Sequence, residues 1–200
     1  TSYSRMEVLM KRMLSVLSSA LLIASWATSS LADEAAAIDI FAGEQIFTAG
    51  SGDDAIEITR SKTSCAKIKG WLQPLIPVEG VHPVTEIEIL HALNDDDALL
   101  VDMRTPEWYL EATIPTAINI PYTDVSMRMD ELGCERLDDA WQCKNAKKVY
   151  GFCNGPACSQ SPSAMKAMVR DGFPAENIYY YRGGMMDWEI LGLTTVEGDF

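Results

Sequence analysis

Lys148-Val149-Tyr150-Gly151-Phe152-Cys153-Asn154-Gly155-Pro156-Ala157-Cys158-Ser159 decides the fold. Its first five residues form a short, mostly apolar run of the kind buried in a parallel sheet. Gly155 and Pro156 then make a turn, and Ser161-Pro162 predicts the start of a helix ending near Gly172. Cys153 is thereby expected at the carboxyl end of a parallel strand, where α/β folds bind ligands. Loop N–H groups and the positive end of the next helix can surround an anion there. A thiolate is such an anion, and cysteines so placed can have a pKa lowered to roughly 3.5 to 7.5. As a packing residue Cys153 would be a buried, inert thiol. The turn and the hydroxyls of Ser159 and Ser161, read as caps, are more apparatus than packing needs.

Strands and helices alternate on both sides of this stretch. Thr85 and Glu88 make a capping box for a helix to about Asn94. Ala98 to Asp102 is a continuous apolar run, Pro106 opens a short helix, and Ala117 to Ile120 reads as another strand. Thr123 predicts a helix through Glu131, Asn177 to Tyr181 a strand, and Met185 to Leu191 the last helix. The alternation implies a layered α/β domain over residues 81–200, a parallel sheet flanked by helices on both faces. Residues 33–80 read as a small β-rich module, with Glu44 to Thr48 and Ala55 to Thr59 as hairpin arms and Trp71 to Val81 as an irregular connector. Residues 1–32 read as a secretory leader. Met10-Lys11-Arg12 is its basic start, Met13 to Ala27 its interrupted apolar run, and Ser30-Leu31-Ala32 its cleavage site. Export would leave an exported, periplasmic protein with no stable membrane insertion after cleavage.

The 200 residues are 48% apolar and 22% charged, a globular composition that argues against disorder. With 29 acidic against 16 basic residues the formal charge is −13, which disfavours nucleic acid and anionic lipid as partners. Five cysteines are too few for a disulfide scaffold. The two histidines, His82 and His91, lie in the connector and first helix, so a Cys-His protease is disfavoured. Cys134 and Cys143 flank a hairpin with an Asp138-Asp139 turn and can bridge in an oxidising compartment. No histidine joins the cysteines at knuckle spacing, so no metal or other cofactor is expected.

Val101-Asp102-Met103-Arg104 with Glu107-Trp108-Tyr109, then Ile114 to Pro121, then the Cys153 loop, then Arg182-Gly183-Gly184-Met185-Met186-Asp187-Trp188, resemble the successive signatures of a rhodanese-like domain over about residues 81 to 197. The resemblance implies the rhodanese α/β fold and a sulfurtransferase. A small donor would give sulfane sulfur to Cys153 as a persulfide, and a thiol or cyanide acceptor, a partner protein's thiol among them, would take it. The loop cradle would be the backbone of Asn154, Gly155, Pro156, Ala157, Cys158 and Ser159.

This chain departs from the family's usual Cys-Arg-x-Gly-x-Arg-Ser loop. Asn154 and Cys158 occupy the arginine positions and Pro156 the glycine position. Losing a charge-assisted hydrogen bond removes roughly 1.5 to 3 kcal/mol, so thiosulfate is expected to be a poor donor. No arginine closes the loop for phosphatase chemistry. Arg182 is the candidate to restore the charge, while Asp102 and Arg104 read as a structural pair. Cys158 has two readings, a loop-filling thiol or a resolving thiol that attacks a persulfide or sulfenate on Cys153. The second makes a thiol-disulfide redox protein the alternative function, with a non-enzymatic binding module behind it.

Overall fold

The computed structural model describes residues 46–49, 51–58 and 72–199. The leader, the cleavage site and Cys65 lie outside the described residues. Among the described residues no helix is long and apolar enough to cross a membrane.

Strands β1 (Phe47–Ala49) and β2 (Ile56–Ile58) pair antiparallel where the hairpin was expected. The main domain is built on five parallel strands, β3 (His82–Pro83), β4 (Ala98–Asp102), β5 (Ile118–Asn119), β8 (Lys148–Phe152) and β9 (Ile178–Tyr181), in the order β3-β9-β8-β4-β5. The short antiparallel pair β6 (Glu135–Leu137) and β7 (Ala140–Gln142) stands apart from this sheet. The helices are α1 (Glu86–Ala92), α2 (Pro106–Glu111), α3 (Gln160–Arg170) and α4 (Gly184–Ile190). At the start of α1 the capping box is complete: the Thr85 hydroxyl accepts from the Ile87 amide, and the Thr85 amide donates to Glu88 at 2.8 Å.

Alternation along the strands sorts the side chains into two cores, because successive residues of a strand face opposite sides. Val101, Val149, Ile178 and Tyr180 pack on one face with Met165 and Met168 of α3. Leu100, Phe152 and Tyr181 pack on the other with Ile89 of α1 and Met185 and Trp188 of α4. Burying a side chain of this size contributes roughly 1.5 to 3 kcal/mol, so both faces need a helical cover. The register sets Asp102 opposite Phe152, and Phe152 opposite Tyr181. Residues one or two past these three therefore emerge at the carboxyl end of the sheet: Arg104, Cys153 and Arg182.

Three expectations are corrected. The segment after Thr123 is not an α-helix but two 3-10 turns, Val125–Met127 and Met129–Leu132. The chain breaks at Arg128 (φ −117°), whose guanidinium is drawn back to the Asn119 carbonyl while it pairs with Glu131, and the break lets Val125, Met129 and Leu132 all reach the core. Ser161 lies inside the first turn of α3, and Ser159 holds the cap position without a side-chain bond. His82, expected in the connector, forms with Pro83 an edge strand, a place in a sheet where proline is tolerated.

The β6–β7 hairpin turns through Asp138 in the left-handed region (φ 54°), which aspartate tolerates. At its open end Cys134 and Cys143 stand with Cα atoms 4.1 Å apart and sulfurs 2.08 Å apart. We expect these two to be linked in protein recovered from an oxidising compartment, with reduction costing roughly 2 to 4 kcal/mol for a loop this short. Non-reducing peptide mapping checks the linkage, and free thiols at both positions would refute it.

Candidate active site

Cys153 follows the last residue of β8, and the loop to Ser159 leads into α3. Four backbone bonds shape the loop. The Cys158 amide donates to the Gly155 carbonyl at 2.9 Å, and the Gln73 amide of the connector donates to the Pro156 carbonyl at 2.8 Å. The first two amides after Gly184 do the rest: Met185 donates to the Cys153 carbonyl and Met186 to the Asn154 carbonyl, both at 3.0 Å. Gly184 itself has φ +56°, and a Cβ there would run into the Cys153 carbonyl, so only glycine lets α4 come this close. Gly155 (φ +154°) is confined in the same way by Met186 and the Gly183 carbonyl.

The Cys153 side chain is 1% exposed. Its sulfur accepts from the Ser161 hydroxyl at 3.0 Å and donates to the Cys158 carbonyl at 3.4 Å. Burial pushes this thiol far up, with the bond to the Cys158 side chain and the Cys158 charge adding to the effect. Of the expected cradle, Pro156 has no N–H and the Cys158 N–H is spent on Gly155. The Ser161 hydroxyl and amide favour the ionised sulfur, and burial outweighs them.

The anion-favouring environment surrounds Cys158 instead. A side-chain hydrogen bond from Cys153 lowers the Cys158 pKa to about 6, against burial, with help from the Gln160 and Asn154 amides and from the charge of Arg104. The Cys158 sulfur lies 3.7 Å from Gln160 Oε1, and of the two thiols it is the more readily ionised. Cys158 is therefore expected to be alkylated by iodoacetamide with a rate that rises as pH passes through about 6, since only the thiolate reacts. A midpoint at an ordinary thiol's value of about 8.5 would count against this pairing.

Arg104 is the guanidinium that reaches the loop. Its Nε and Nη2 donate to Asp102 at 2.9 and 2.7 Å, Nη2 also donates to the Ala112 carbonyl, and Nη1 donates to Asn154 Oδ1 at 3.0 Å. Asp102 is fully buried and also accepts from the Thr113 hydroxyl at 2.8 Å and the Arg104 amide at 3.0 Å. The pair is structural, as expected, but it carries a charge to the loop that the sequence reading gave to Arg182. Arg182 Nη1 donates to the Gln73 carbonyl at 2.9 Å, so it meets the loop through the connector residue that holds Pro156. Ala157 completes the turn between Pro156 and Cys158. Beside Asn154 a cleft of about 580 Å³ opens between α2 and α4, lined by Arg104, Trp108, Glu111, Met186 and Ile190 among others.

Sequence reasoning missed two features of the site, the Ser161 hydroxyl on the Cys153 sulfur and the Gln73 contact with the loop. Ser161 stands eight residues after Cys153, in a position that also suits a helix cap, so its type alone left the choice open.

Residues 86–191 match the profile of the rhodanese-like domain. An HTH-type transcriptional regulator of Mycobacterium tuberculosis is 30% identical over 115 residues, 58% of this chain and 45% of the regulator. A sulfurtransferase of Allochromatium vinosum is 27% identical over 103 residues, 52% of this chain and 82% of its own length. The crystal structure of a thiosulfate sulfurtransferase from Pseudomonas aeruginosa is similar with a TM-score of 0.43 at 21% identity, over 58% of this chain and 20% of that one. This chain thus spans less than half of the regulator it resembles.

Proposed function

The chain belongs to the rhodanese-like domain family, and from that premise we propose that it is an exported, periplasmic sulfurtransferase that carries sulfane sulfur as a persulfide on Cys153. The observation that carries this reading is the placement of Cys153 at the end of the central strand, hydrogen-bonded at its sulfur to Ser161 and to the loop.

In the loading step Cys153 gives up its proton to water or to the basic donor. The Cys153 sulfur then attacks the sulfane sulfur of the donor. A new S–S bond forms, the donor's bond to that sulfur breaks, and the donor leaves with the electron pair. Ser161 steadies the charge on Cys153 by donating to it. The persulfide then passes its outer sulfur to a thiol or to cyanide.

Inorganic polysulfide suits this loop better than thiosulfate. The arginine positions hold Asn154 and Cys158, and the guanidinium at hand, Arg104, is already engaged by Asp102. The full chain supplied with tetrasulfide and cyanide should form thiocyanate, and should do so faster than with thiosulfate. Absence of thiocyanate with both donors would sink the proposal. The acidic chain is not expected to bind nucleic acid. For the export part of the reading, N-terminal sequencing of periplasmic extract should begin at Asp33. An intact Met10 start in the membrane fraction would mean an anchor instead.

A further inference from the structure

We propose that Cys158 is the resolving thiol of the persulfide formed on Cys153, so that the loop reduces sulfane sulfur to hydrosulfide and closes a Cys153–Cys158 disulfide. This rests on the reading of Cys153 as the sulfur carrier and names the group that discharges it.

Three observations place the step inside the loop. First, Cys153 is 1% exposed, so a nucleophile already in the loop reaches its Sγ ahead of a bulky external thiol. What discharges it fastest is a nucleophile already beside it. Second, Sγ of Cys153 donates to the backbone carbonyl of Cys158 at 3.4 Å, which puts residue 158 beside what becomes the inner sulfur of the persulfide. Third, Cys158 is less buried than Cys153, and among the described residues these two are the free cysteines. Arg104, reaching the loop through Asn154, favours negative charge on Cys158.

The step balances without an added oxidant. After loading, Cys153 carries a terminal sulfur anion and Cys158 is a thiolate. Water protonates the terminal sulfur, giving Cys153–S–SH beside the Cys158 thiolate. This thiolate attacks Sγ of Cys153, a Cys153–Cys158 S–S bond forms, the bond to the terminal sulfur breaks, and hydrosulfide leaves with the electron pair. The sulfane sulfur gains two electrons, one from each cysteine sulfur. An external dithiol then reduces the disulfide by exchange and resets both thiols. Hydrosulfide is a good leaving group because its own acidity is close to neutrality, and attack on the inner sulfur is the one the contact between Sγ of Cys153 and residue 158 prepares.

The test treats the full chain, anaerobically and without acceptor, with a small excess of inorganic tetrasulfide, followed by acid quench, intact mass and non-reducing peptide mapping. Wild type should end two hydrogens lighter, with Cys153 linked to Cys158. Cys158→Ser, and Cys158→Ala in case the serine variant does not fold, should end one sulfur heavier on Cys153, with persulfide about ten-fold more abundant than in wild type. Wild type that stays one sulfur heavier with no linkage overturns the resolving role while leaving Cys153 as carrier. If the Cys158 variants gain no sulfur, the carrier reading fails and the resolving step falls with it. A stable sulfur on Cys158 in Cys153→Ser shows that Cys158 is loaded first, which also overturns the proposal.

Discussion

Cys153→Ser should lower sulfur transfer by at least about 10³-fold while leaving the domain folded. A serine oxygen is a far weaker nucleophile toward sulfur and cannot form a persulfide. It nonetheless keeps the two partners that anchor the thiol, the Ser161 hydroxyl and the Cys158 carbonyl, so no buried polar group is orphaned. The unfolding midpoint should then move by no more than about 1 kcal/mol equivalent. A second signature separates loss of chemistry from loss of structure. The hydrogen bond from Cys153 is the main cause of the low Cys158 pKa and serine keeps a donor there, so the pH at which iodoacetamide begins to modify Cys158 should stay near 6 in Cys153→Ser and rise in Cys153→Ala. Thiocyanate formation from tetrasulfide and cyanide reads the first effect and the alkylation profile reads the second. Turnover above a tenth of wild type would show that another residue carries the sulfur.

The largest effect on stability is expected for Asp102→Asn. Asp102 is fully buried and Arg104 3% exposed, and the carboxylate takes two guanidinium nitrogens, the Thr113 hydroxyl and a backbone amide. Removing one partner of a buried pair leaves the other charge without compensation, at a cost of about 3 to 5 kcal/mol. Folding stability of a domain this size is about 5 to 15 kcal/mol, so the variant should unfold at much lower urea. Activity should fall as well, because Arg104 also holds Asn154 at the loop. A change below about 1 kcal/mol would mean that water reaches the pair and screens it.

The elements most legible in the sequence share one property: their signal is local. Ala98–Asp102 and Lys148–Phe152 are apolar runs bounded by turn residues, and both strands begin and end where the runs do. Thr85 with Glu88 marks the start of α1 because both halves of the box lie within one turn. Pro106 marks α2 because its fixed φ suits a first helical position. The resemblance over residues 81 to 197 was legible because its motifs keep their order, and the family profile matches the body of that span.

What the sequence alone determined is therefore the α/β class, most strand and helix positions, the hairpin that brings Cys134 to Cys143, and the place of Cys153 at a strand end. Tertiary structure decided how that cysteine is charged. Which amides point at which sulfur depends on the Gly184 approach, on the Met185 and Met186 bonds to the loop carbonyls, and on Gln73, 80 residues upstream of Cys153 in the chain. Arg104 reaches Asn154 from 50 residues away because strand register lays the ends of β4 and β8 side by side, and no local pattern records that distance. The same closure buries the Cys153 sulfur and turns the Cys158 carbonyl toward it. Ionisation follows solvation and neighbouring dipoles rather than residue type, so burial raises the Cys153 thiol while the groups around Cys158 lower its own.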